Sequence, residues 1–553
     1  MITRPIYLTK RNRKSKYFRF ICTDTKKMEN SALFYIKNTI SGMKKEPYER
    51  HPKEREALNY VFDGINCYNH KKVEQFSYAV KLIGEDLRSG KISGSMAMSI
   101  IRASRPKLLS YPSKEKAFLN YEQLNAVFCY MHHPVYERMP AQVNQNAIKK
   151  AVLSWKSYFA SLKAYAKDPS RFTGKPSAPK YIRSDETTAW FTNQTAKCHE
   201  VNNKNVLSFI NSDVVIGIGK INGKHVKTEV QPRHGGYRIL VTTDDEIKEV
   251  PVPENPTRFF GIDIGLENFA SVANNVGATP FLIKGNAVKA KNQWYNKRKA
   301  ILTSKLTEGL DSTKSEKHSR ALNALSRKRD NFIRDFMYKA AHCICKRAQA
   351  LQIQVMVIGH NEGQKTGINL GDTTNQAFVS VPFAKFDTIL TYTAWKYGIA
   401  VVIREESYTS KASLLDYDVI PTYKAPEKDD KDENNENETK VEYVFSGNRY
   451  KRGLYKTKDG CIINADINGA GNIIRKEYPY AFDGQDLSYL CKSVETVGYK
   501  DLYKACNPSV TKTKLSAKKK KAHKKSSYRK TCSFYHCNEK HALMEAFGVT
   551  KKT

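Results

Sequence analysis

This sequence lacks long hydrophobic runs. None of its apolar stretches reaches the roughly 20 residues that are needed to cross a bilayer. The first stretch, MITRPIYLTKRNRKSKYF, is basic and lacks the apolar core of a secretory signal. Cysteine is also sparse, since eleven cysteines are scattered over 553 residues without a regular framework. These absences argue against a membrane protein and a disulfide-rich secreted domain, and we expect reduced thiols and a cytoplasmic location.

Motifs for nucleotide hydrolysis and nucleophilic catalysis are missing as well. No phosphate-binding loop of the form G-x-x-x-x-G-K-[ST] occurs, so no nucleotide cofactor is expected. No serine or cysteine triad stands out. Cys532, His536, Cys537 and His541 have a spacing that is only a weak signal for a metal site. We interpret these four residues as part of a loose basic tail.

Acidic residues are outnumbered in this chain. Lysine and arginine total 93 against 55 aspartate and glutamate residues, which gives a formal net charge of +38. Such an excess predicts a polyanionic partner, and nucleic acid is the partner we favour. Aromatic residues make up 11% of the chain and include 32 tyrosines, so side chains that can stack on bases are available. A ribosome-like structural protein is the alternative interpretation of this composition.

The first half of the chain changes its pattern twice. Two short strand-like pieces, IYL and KYFRFICT, lie within residues 1–26. Residues 27–173 place apolar side chains three and four positions apart, which predicts amphipathic helices. From residue 174 to 255, short alternating segments separated by glycine and asparagine turns predict a small β-barrel.

Two carboxylates in the second half occupy positions that suit a metal site. Asp263 lies in the apolar run FFGIDIG, which predicts a buried strand, and a carboxylate there is costly unless it is paired or bound to a cation. Asp466 lies in the first turn of a helix that is predicted to begin at Asn464 or Ala465. Carboxylates from separate elements suit two Mg²⁺ ions about 3.5–4 Å apart in a nuclease. A turn-capping role for Asp263 is the alternative.

Other stretches of the second half predict an alternating α/β order. A hairpin follows the Asp263 strand, and a long basic helical region covers residues 290–351. The strands 355–358 and 399–404 flank a helix over 381–397, which is consistent with an RNase H-like sheet. Residues 426–440 are acidic and almost free of apolar side chains, so we predict a disordered loop.

Two stretches of this sequence resemble motifs of a known nuclease family. GIDIGLENFAS and NADINGAGNIIRK are similar to the first and third motifs of the RuvC domain in TnpB (OrfB) proteins and in type V CRISPR (Cas12-like) effectors. The resemblance covers roughly residues 140–478. Further segments resemble the family in the same order: QVNQNAIKKAVLSWKSYFASLK, NQWYNKRKAILTSKL, VMVIGHNEGQK, NQAFVSVPFAKF, EESYTSKASLLD and FSGNRYKRGLYKTKDGCIINADINGAGNI.

The resemblance implies a function and a domain plan. It implies an RNA-guided DNA endonuclease that binds a guide RNA, recognises a short flanking duplex motif, opens double-stranded DNA into an R-loop and cuts it with two Mg²⁺ ions. The implied fold is a multidomain α+β protein with a helical lobe inserted in a β-barrel. The implied domains are a wedge barrel (1–26 and 174–255), a helical recognition domain (27–173), an RNase H-like RuvC domain (256–411 and 462–480), a nucleic-acid-binding insertion with the acidic loop (412–461) and a basic tail (481–553).

The second RuvC motif departs from the family pattern. Most members end this strand with a catalytic glutamate, but Gly359 stands here and has no side chain that binds a metal. One hypothesis is an inactive nuclease. The other is relocation to the next strand, where Glu406 is the preferred candidate, Glu405 is held in reserve and Glu362 is third. The resemblance then implies that Asp263, Glu406 and Asp466 bind the two Mg²⁺ ions.

The zinc-binding cysteines of many relatives are also missing. The TSK segment is followed by residues without cysteine, and Cys461 is the single cysteine near Asp466, so we expect no zinc in this insertion. The sequence leaves open a monomer or a homodimer, and a guide from a transposon end or from a CRISPR array. We expect a nucleoid-associated protein in a prokaryotic host and a nuclear one in a eukaryotic host. An RNA-guided binder without cleavage and a DNA transposase are the alternative functions.

Overall fold

The computed structural model describes residues 2–219, 221, 223–244, 247–308, 319–360, 381–422 and 443–506. The chain divides into two compact units, residues 1–246 and 247–553. Three predictions fall outside the described residues: the acidic loop 426–440, the candidate Glu362 and the cysteine–histidine group near residue 536. Within the described ranges, no helix has the length and apolar character of a membrane span.

The first unit contains six α-helices in its described residues. Their apolar residues recur every three or four positions and form one buried core with the strands of the unit. The helices are α1 (Ser15–Met43), α2 (Pro52–Arg88), α3 (Gly94–Ala103), α4 (Tyr121–Tyr130), α5 (Pro134–Arg138) and α6 (Ala141–Lys167). The helical pattern predicted from residue 27 onward is therefore confirmed.

The strands of the first unit form two sheets. The strands are β1 (Ile2–Thr9), β2 (Ala189–Thr192), β3 (Ala196–Val201), β4 (Lys204–Phe209), β5 (Val215–Gly217), β6 (Lys224–Arg233) and β7 (Gly236–Asp244). One sheet has the order β1-β7-β6-β2 and the other has the order β3-β4-β5. Every strand predicted between residues 189 and 244 is present, and β1 pairs with β7 along its whole length. Closure of these sheets into a barrel stays a prediction.

One predicted strand of the first unit is wrong. The piece KYFRFICT lies inside helix α1 and not in a strand. Phe18, Ile21 and Cys22 are fully buried, and the same three- and four-residue spacing continues to Met28. Tertiary burial of this helical stripe outweighs the strand preference of the local residues.

The second unit is built on a six-stranded sheet with the order β12-β11-β8-β9-β10-β16. Only β9 runs against the direction of its neighbours, because its pairings with β8 and β10 are antiparallel and the remaining pairings are parallel. The strands are β8 (Phe259–Asp263), β9 (Asn268–Asn274), β10 (Phe281–Lys284), β11 (Val355–Gly359), β12 (Ala400–Arg404) and β16 (Glu495–Val497). The predicted hairpin is present as β9 and β10, and the two strands predicted over 355–358 and 399–404 are present as β11 and β12, which pair with each other.

Helices cover both faces of this sheet. Successive residues of β8 and β11 alternate between two buried cores, as strand geometry requires. The helices are α7 (Asn286–Thr307), α8 (Arg320–Ala350), α9 (Phe383–Lys396), α10 (Ala465–Glu477), α11 (Ser488–Cys491) and α12 (Tyr499–Cys506). Helices α8 and α9 pack on one face and α10 packs on the other.

Two smaller features complete the second unit. A three-stranded sheet joins β13 (Asn448–Lys451), β14 (Leu454–Lys456) and β15 (Ile462–Asn464), and β13 and β14 form a basic hairpin within the insertion 412–461. The prediction that a basic tail begins at residue 481 is wrong for its described part. Leu490, Val497 and Leu502 are buried, and β16 pairs with β10, because these apolar side chains complete the cores.

Candidate active site

The parallel strands β8, β11 and β12 end at the same edge of the sheet. Asp263 is the last residue of β8, Gly359 is the last residue of β11, and Glu406 follows the end of β12 by two residues. Residues of neighbouring parallel strands stay in register, so Val357 pairs with Gly261 on one side and with Val402 on the other. Side chains from distant parts of the sequence are thereby gathered at one edge.

Helix α10 carries the second aspartate to this edge. It packs against β8 so closely that a Cβ atom on Gly261 would lie 2.0 Å from the carbonyl oxygen of Ala470. Only glycine permits this approach of helix to strand. A Cβ atom on Gly469 would lie 3.2 Å from Oδ2 of Asp263, which shows that the first turns of the helix border that carboxylate.

The start of α10 fixes the position of Asp466. The side chain of Asn464 caps the helix and accepts hydrogen bonds from the backbone N–H groups of Asp466 and Ile467, at 3.1 and 3.3 Å. Asn268 on β9 donates to Oδ2 of Asp466 at 2.5 Å. Lys284 on β10 in turn donates to Oδ1 of Asn268 at 2.8 Å. A chain of side chains across the sheet therefore orients the Asp466 carboxylate.

The structure brings Glu406 to the end of β11. A Cβ atom built on Gly359 would lie 2.6 Å from Oε2 of Glu406 and 2.5 Å from Cδ1 of Ile473. The Glu406 carboxylate therefore occupies the space that a side chain at position 359 would enter. The glycine at position 359 therefore leaves the space that the glutamate after the next strand occupies.

Glu405 points to a different partner. Its Oε2 accepts a hydrogen bond from Nζ of Lys476 at 2.5 Å, and its Oε1 accepts from the backbone N–H of Ser407 at 2.7 Å. Glu405 and Glu406 therefore point in different directions, and strand alternation is not the cause, because β12 ends at Arg404. The backbone beyond the strand directs the Glu405 carboxylate toward Lys476 and the Glu406 carboxylate toward Gly359.

The electrostatics of Asp263 connect the three predicted residues. Burial, together with the negative charges of Glu406 and Asp466, raises the pKa of Asp263 to about 8, against a smaller opposite effect of Arg449. Arg449 belongs to the exposed hairpin strand β13. Asp263, Glu406 and Asp466 are each partly exposed.

The donor chemistry of this group fits Mg²⁺. All three residues offer carboxylate oxygens, which Mg²⁺ prefers, and a bound cation would relieve the repulsion that raises the Asp263 pKa. In the part of the chain that is described, no three His, Cys, Asp or Glu side chains are close enough to enclose an ion. This spacing is compatible with the raised pKa of Asp263. Like charges repel one another over a longer range than the roughly 2.1 Å of a Mg²⁺–oxygen contact.

Sequence reasoning did not identify several residues at this edge. Asn268 donates to Asp466, Lys284 donates to Asn268, and Lys476 donates to Glu405. Arg449 acts on Asp263 from a separate sheet. Asn268 lies inside the first motif, close to Asp263 in the sequence, and this proximity is a local indication of a place at the site. The other three carry no local signal, because only the folded arrangement brings them to the carboxylates.

Comparisons with known families match two parts of the chain. Residues 225–364 match the family described as "Probable transposase" of the OrfB IS605 type. Residues 383–473 match the family described as a Cas12f1-like TNB domain. A comparison with curated proteins finds no match.

Three solved structures are similar to the chain at low identity. A cryo-EM structure of a Cas12f1–sgRNA–target DNA complex is 14% identical, with 86% of this chain and 99% of that chain covered and a TM-score of 0.27. A CRISPR-Cas12f ternary complex is 14% identical, with coverages of 75% and 80% and a TM-score of 0.27. The AacC2c1–sgRNA binary complex is 9% identical, with coverages of 78% and 71% and a TM-score of 0.29. TM-scores in this range do not establish a common arrangement of the whole chain.

Proposed function

We propose, from the membership of this chain in the TnpB/Cas12-like family, that it acts as an RNA-guided DNA endonuclease. In this proposal a bound guide RNA pairs with one strand of double-stranded DNA, and the protein contacts a short flanking duplex. The net charge of +38 supports the binding of two nucleic acids. The sheet edge with Asp263, Glu406 and Asp466 is the proposed cleavage site of an RNase H-like nuclease domain.

The observation that carries this proposal is the convergence of three carboxylates from three separate elements. Asp263 ends a strand, Glu406 follows another strand, and Asp466 lies in the first turn of a helix. Burial and the negative charges of Glu406 and Asp466 nevertheless raise the pKa of Asp263. Such mutual repulsion is unfavourable for stability. Groups of like charge whose pKa values are perturbed in this way cluster at functional sites. A nuclease site with divalent cations gives this arrangement a physical purpose.

The residues of this chain have separate tasks in the proposed reaction. Asp263, Glu406 and Asp466 would hold Mg²⁺. When bound, Mg²⁺ supplies charge stabilisation for the phosphate and lowers the pKa of an attacking water. The chain from Lys284 through Asn268 keeps the Asp466 carboxylate in one orientation. The products are a 5′-phosphate and a 3′-hydroxyl.

The hairpin β13–β14 is proposed to guide the DNA strand. Its Arg449 is exposed, and its charge acts on Asp263. Tyr450 is 51% exposed, with the Nζ atoms of Lys451 and Lys456 at 5.1 and 5.8 Å from its ring centre. An aromatic ring beside cations suits a base and its phosphate in a single strand.

The proposal is tested by guide-dependent plasmid cleavage with Mg²⁺. Glu406→Gln keeps the size of the side chain and removes its charge, so cleavage should fall by roughly a hundredfold or more while guide and target binding survive. Asp263→Ala and Asp466→Ala should have the same effect. Glu254→Gln, an exposed glutamate before β8, is the matched control and should cleave like the wild type. Full cleavage by Glu406→Gln would contradict the assignment.

A second candidate function is guided DNA binding without cleavage. The glycine at position 359, where the family carries a glutamate, favours this candidate. RNA-dependent binding of target DNA without nicking in any divalent cation would support it. A DNA transposase would instead join strands without bound RNA. Sequencing of the RNA that copurifies with the protein, followed by RNase treatment, distinguishes the transposase from the two RNA-guided functions. A guided nuclease and a guided binder both need the RNA, whereas a transposase does not.

A further inference from the structure

Helix α10 carries a row of polar side chains on one face. Asn468, Asn472 and Lys476 are spaced four residues apart, which places them above one another along the helix. Both asparagines are fully buried, and the Lys476 side chain is only 3% exposed. Buried polar groups of this kind need partners, and all three find them in one short segment, residues 405–414.

The two asparagines hold the backbone of this segment. Asn468 donates to the carbonyl oxygen of Ala412 at 2.8 Å and accepts from the backbone N–H of Leu414 at 2.9 Å. Asn472 donates to the carbonyl oxygens of Thr409 and Ala412 at 2.9 and 2.7 Å. Because amide side chains offer both donors and an acceptor, they replace the hydrogen bonds that a strand or helix would supply.

Lys476 holds the end of the segment that carries the glutamates. Its Nζ donates to Oε2 of Glu405 at 2.5 Å and to the carbonyl oxygen of Ser407 at 2.9 Å. Glu405 also accepts from the backbone N–H of Ser407 at 2.7 Å. Glu406 therefore lies between two residues that are both tied to the same ammonium group.

The segment has no regular structure of its own to keep this shape. Strand β12 ends at Arg404, and Tyr408 adopts a φ of 65°, in the left-handed region that side chains other than glycine rarely occupy. A backbone in this conformation persists only when its surroundings hold it. A carboxylate at the end of a strand needs no such support, whereas one on an irregular segment does.

We propose that Asn468, Asn472 and Lys476, with Glu405 as the partner of Lys476, are positioning residues that hold Glu406 at a fixed place relative to Asp263 and Asp466. The same helix carries Asp466 at its start and the polar row along its length, so it sets the spacing of two carboxylates at once. This inference rests on the proposed function, because it assigns to the row the alignment of the metal-binding group.

The test separates positioning from simple stability with three variants of the full-length protein: Lys476→Met, Glu405→Gln and the double variant. Mn²⁺ affinity is measured by calorimetry without DNA, hydrogen exchange is followed in residues 405–414, and melting temperature is recorded. Glu405→Gln removes the negative charge that partners the buried Lys476 ammonium group and should lower the melting temperature, and the double variant should recover it. Mn²⁺ affinity should stay lower by roughly tenfold in all three variants, with faster exchange in the segment.

Lys500→Met, which removes an exposed lysine of α12, is the control and should match the wild type in every measurement. If Mn²⁺ affinity recovers together with melting temperature in the double variant, the ion pair serves stability alone and the inference is overturned. Mn²⁺ affinity equal to the wild type in Lys476→Met would also overturn it. A wild-type protein that binds no Mn²⁺ would instead refute the proposed function itself, so the two failures are distinguishable.

Discussion

At the scale of single residues, position 359 and position 406 compete for one space. A side chain at 359 would begin 2.6 Å from the Glu406 carboxylate, so the site accommodates a carboxylate from one strand or from the next. Transfer of the proposed catalytic carboxylate from one strand to the adjacent strand would therefore be a small geometric change, although the two positions are far apart in the sequence. The exchange predicts a specific rescue.

Gly359→Glu combined with Glu406→Gly should restore cleavage that Glu406→Gly alone loses. The single change Glu406→Gly should lower the cleavage rate by roughly 10²–10³. Gly359→Glu alone should also impair cleavage, since its side chain would crowd Glu406 and Ile473. Cleavage rates of the three variants at saturating guide RNA check this prediction. An exchange variant that folds, binds target DNA and cleaves no faster than Glu406→Gly would contradict it.

The raised pKa of Asp263 predicts a pH dependence. Burial and two like charges raise this pKa to about 8, above the roughly 3.9 of an unfolded aspartate. Between these values the metal-free folded state binds one proton more than the unfolded state, so its stability falls as the pH rises toward 8. In EDTA, the melting temperature of Asp263→Asn should therefore increase relative to that of the wild type as the pH is raised from 6 to 8.

The same titration should govern ion binding, because the ligand must lose its proton. Below a pH of about 8, Mn²⁺ affinity should rise by about tenfold per pH unit and should release one proton per Asp263. Calorimetry in buffers with different ionisation enthalpies counts the released protons. A pH-independent affinity between pH 6 and pH 8 would show that Asp263 is already ionised in the folded protein.

At the scale of elements, the hairpin β13–β14 offers a matched pair of arginines. Arg449 acts on Asp263, whereas Arg452 is 91% exposed and lies 3.6 Å from Glu267. Burial and the neighbouring carboxylates raise the Asp263 pKa, and Arg449 opposes them. Arg449→Gln should therefore move the pH midpoint of Mn²⁺ binding upward and slow cleavage, and Arg452→Gln should leave the midpoint unchanged. Identical pH midpoints of Mn²⁺ binding in both variants would show that Arg449 does not act on Asp263.

The corner between α1 and α2 depends on one buried glutamate. Glu54, whose side chain is 7% exposed, accepts hydrogen bonds from Ser41 at 2.6 Å, from Lys45 at 2.8 Å and from the backbone of His51 at 2.9 Å. Burial by itself would raise its pKa, but these hydrogen bonds and the charge of Lys45 outweigh burial and lower the pKa to about 2. The carboxylate therefore joins the end of α1 to the start of α2.

Because this folded-state pKa lies below the roughly 4.3 of an unfolded glutamate, the stabilisation is present above that value and is lost as the pH falls toward 2. Glu54→Gln should lower the free energy of unfolding by roughly 2 kcal/mol at pH 7. The difference from the wild type should shrink between pH 4.5 and pH 2. Glu56→Gln, an exposed neighbour in α2, should change little. Urea denaturation at each pH measures the difference.

At the scale of the whole molecule, the positive charge predicts how strongly salt weakens RNA binding. A protein with a net charge of +38 that contacts six to ten phosphates should lose roughly 10³–10⁵ in affinity between 50 and 200 mM salt. Filter binding of the copurified RNA over this range measures the slope. A shallow slope would mean that few phosphates are neutralised and that the charge serves another purpose.

Local sequence patterns predict most of the strands and helices and two of the three proposed metal ligands. The apolar run around Asp263 and the cap at Asn464 are local patterns, since strand burial and helix capping depend on neighbouring residues. Glu406 was reached from the sequence only through the resemblance and the expected strand order. The helix at KYFRFICT was missed, because strand and helix patterns are hard to separate in a short apolar run and distant packing decides between them.

Which side chains share the sheet edge depends on tertiary packing, which the local sequence does not show. Glu405 and Glu406 are adjacent and chemically identical, and the turn beyond β12 sends one to Lys476 and the other to the space beside Gly359. Lys284 acts on Asp466 through Asn268, and Arg449 acts on Asp263 from a separate sheet. Contacts between residues more than a hundred positions apart leave no periodic pattern in the chain, because they arise from the order in which strands pair and from the close packing of α10 on β8.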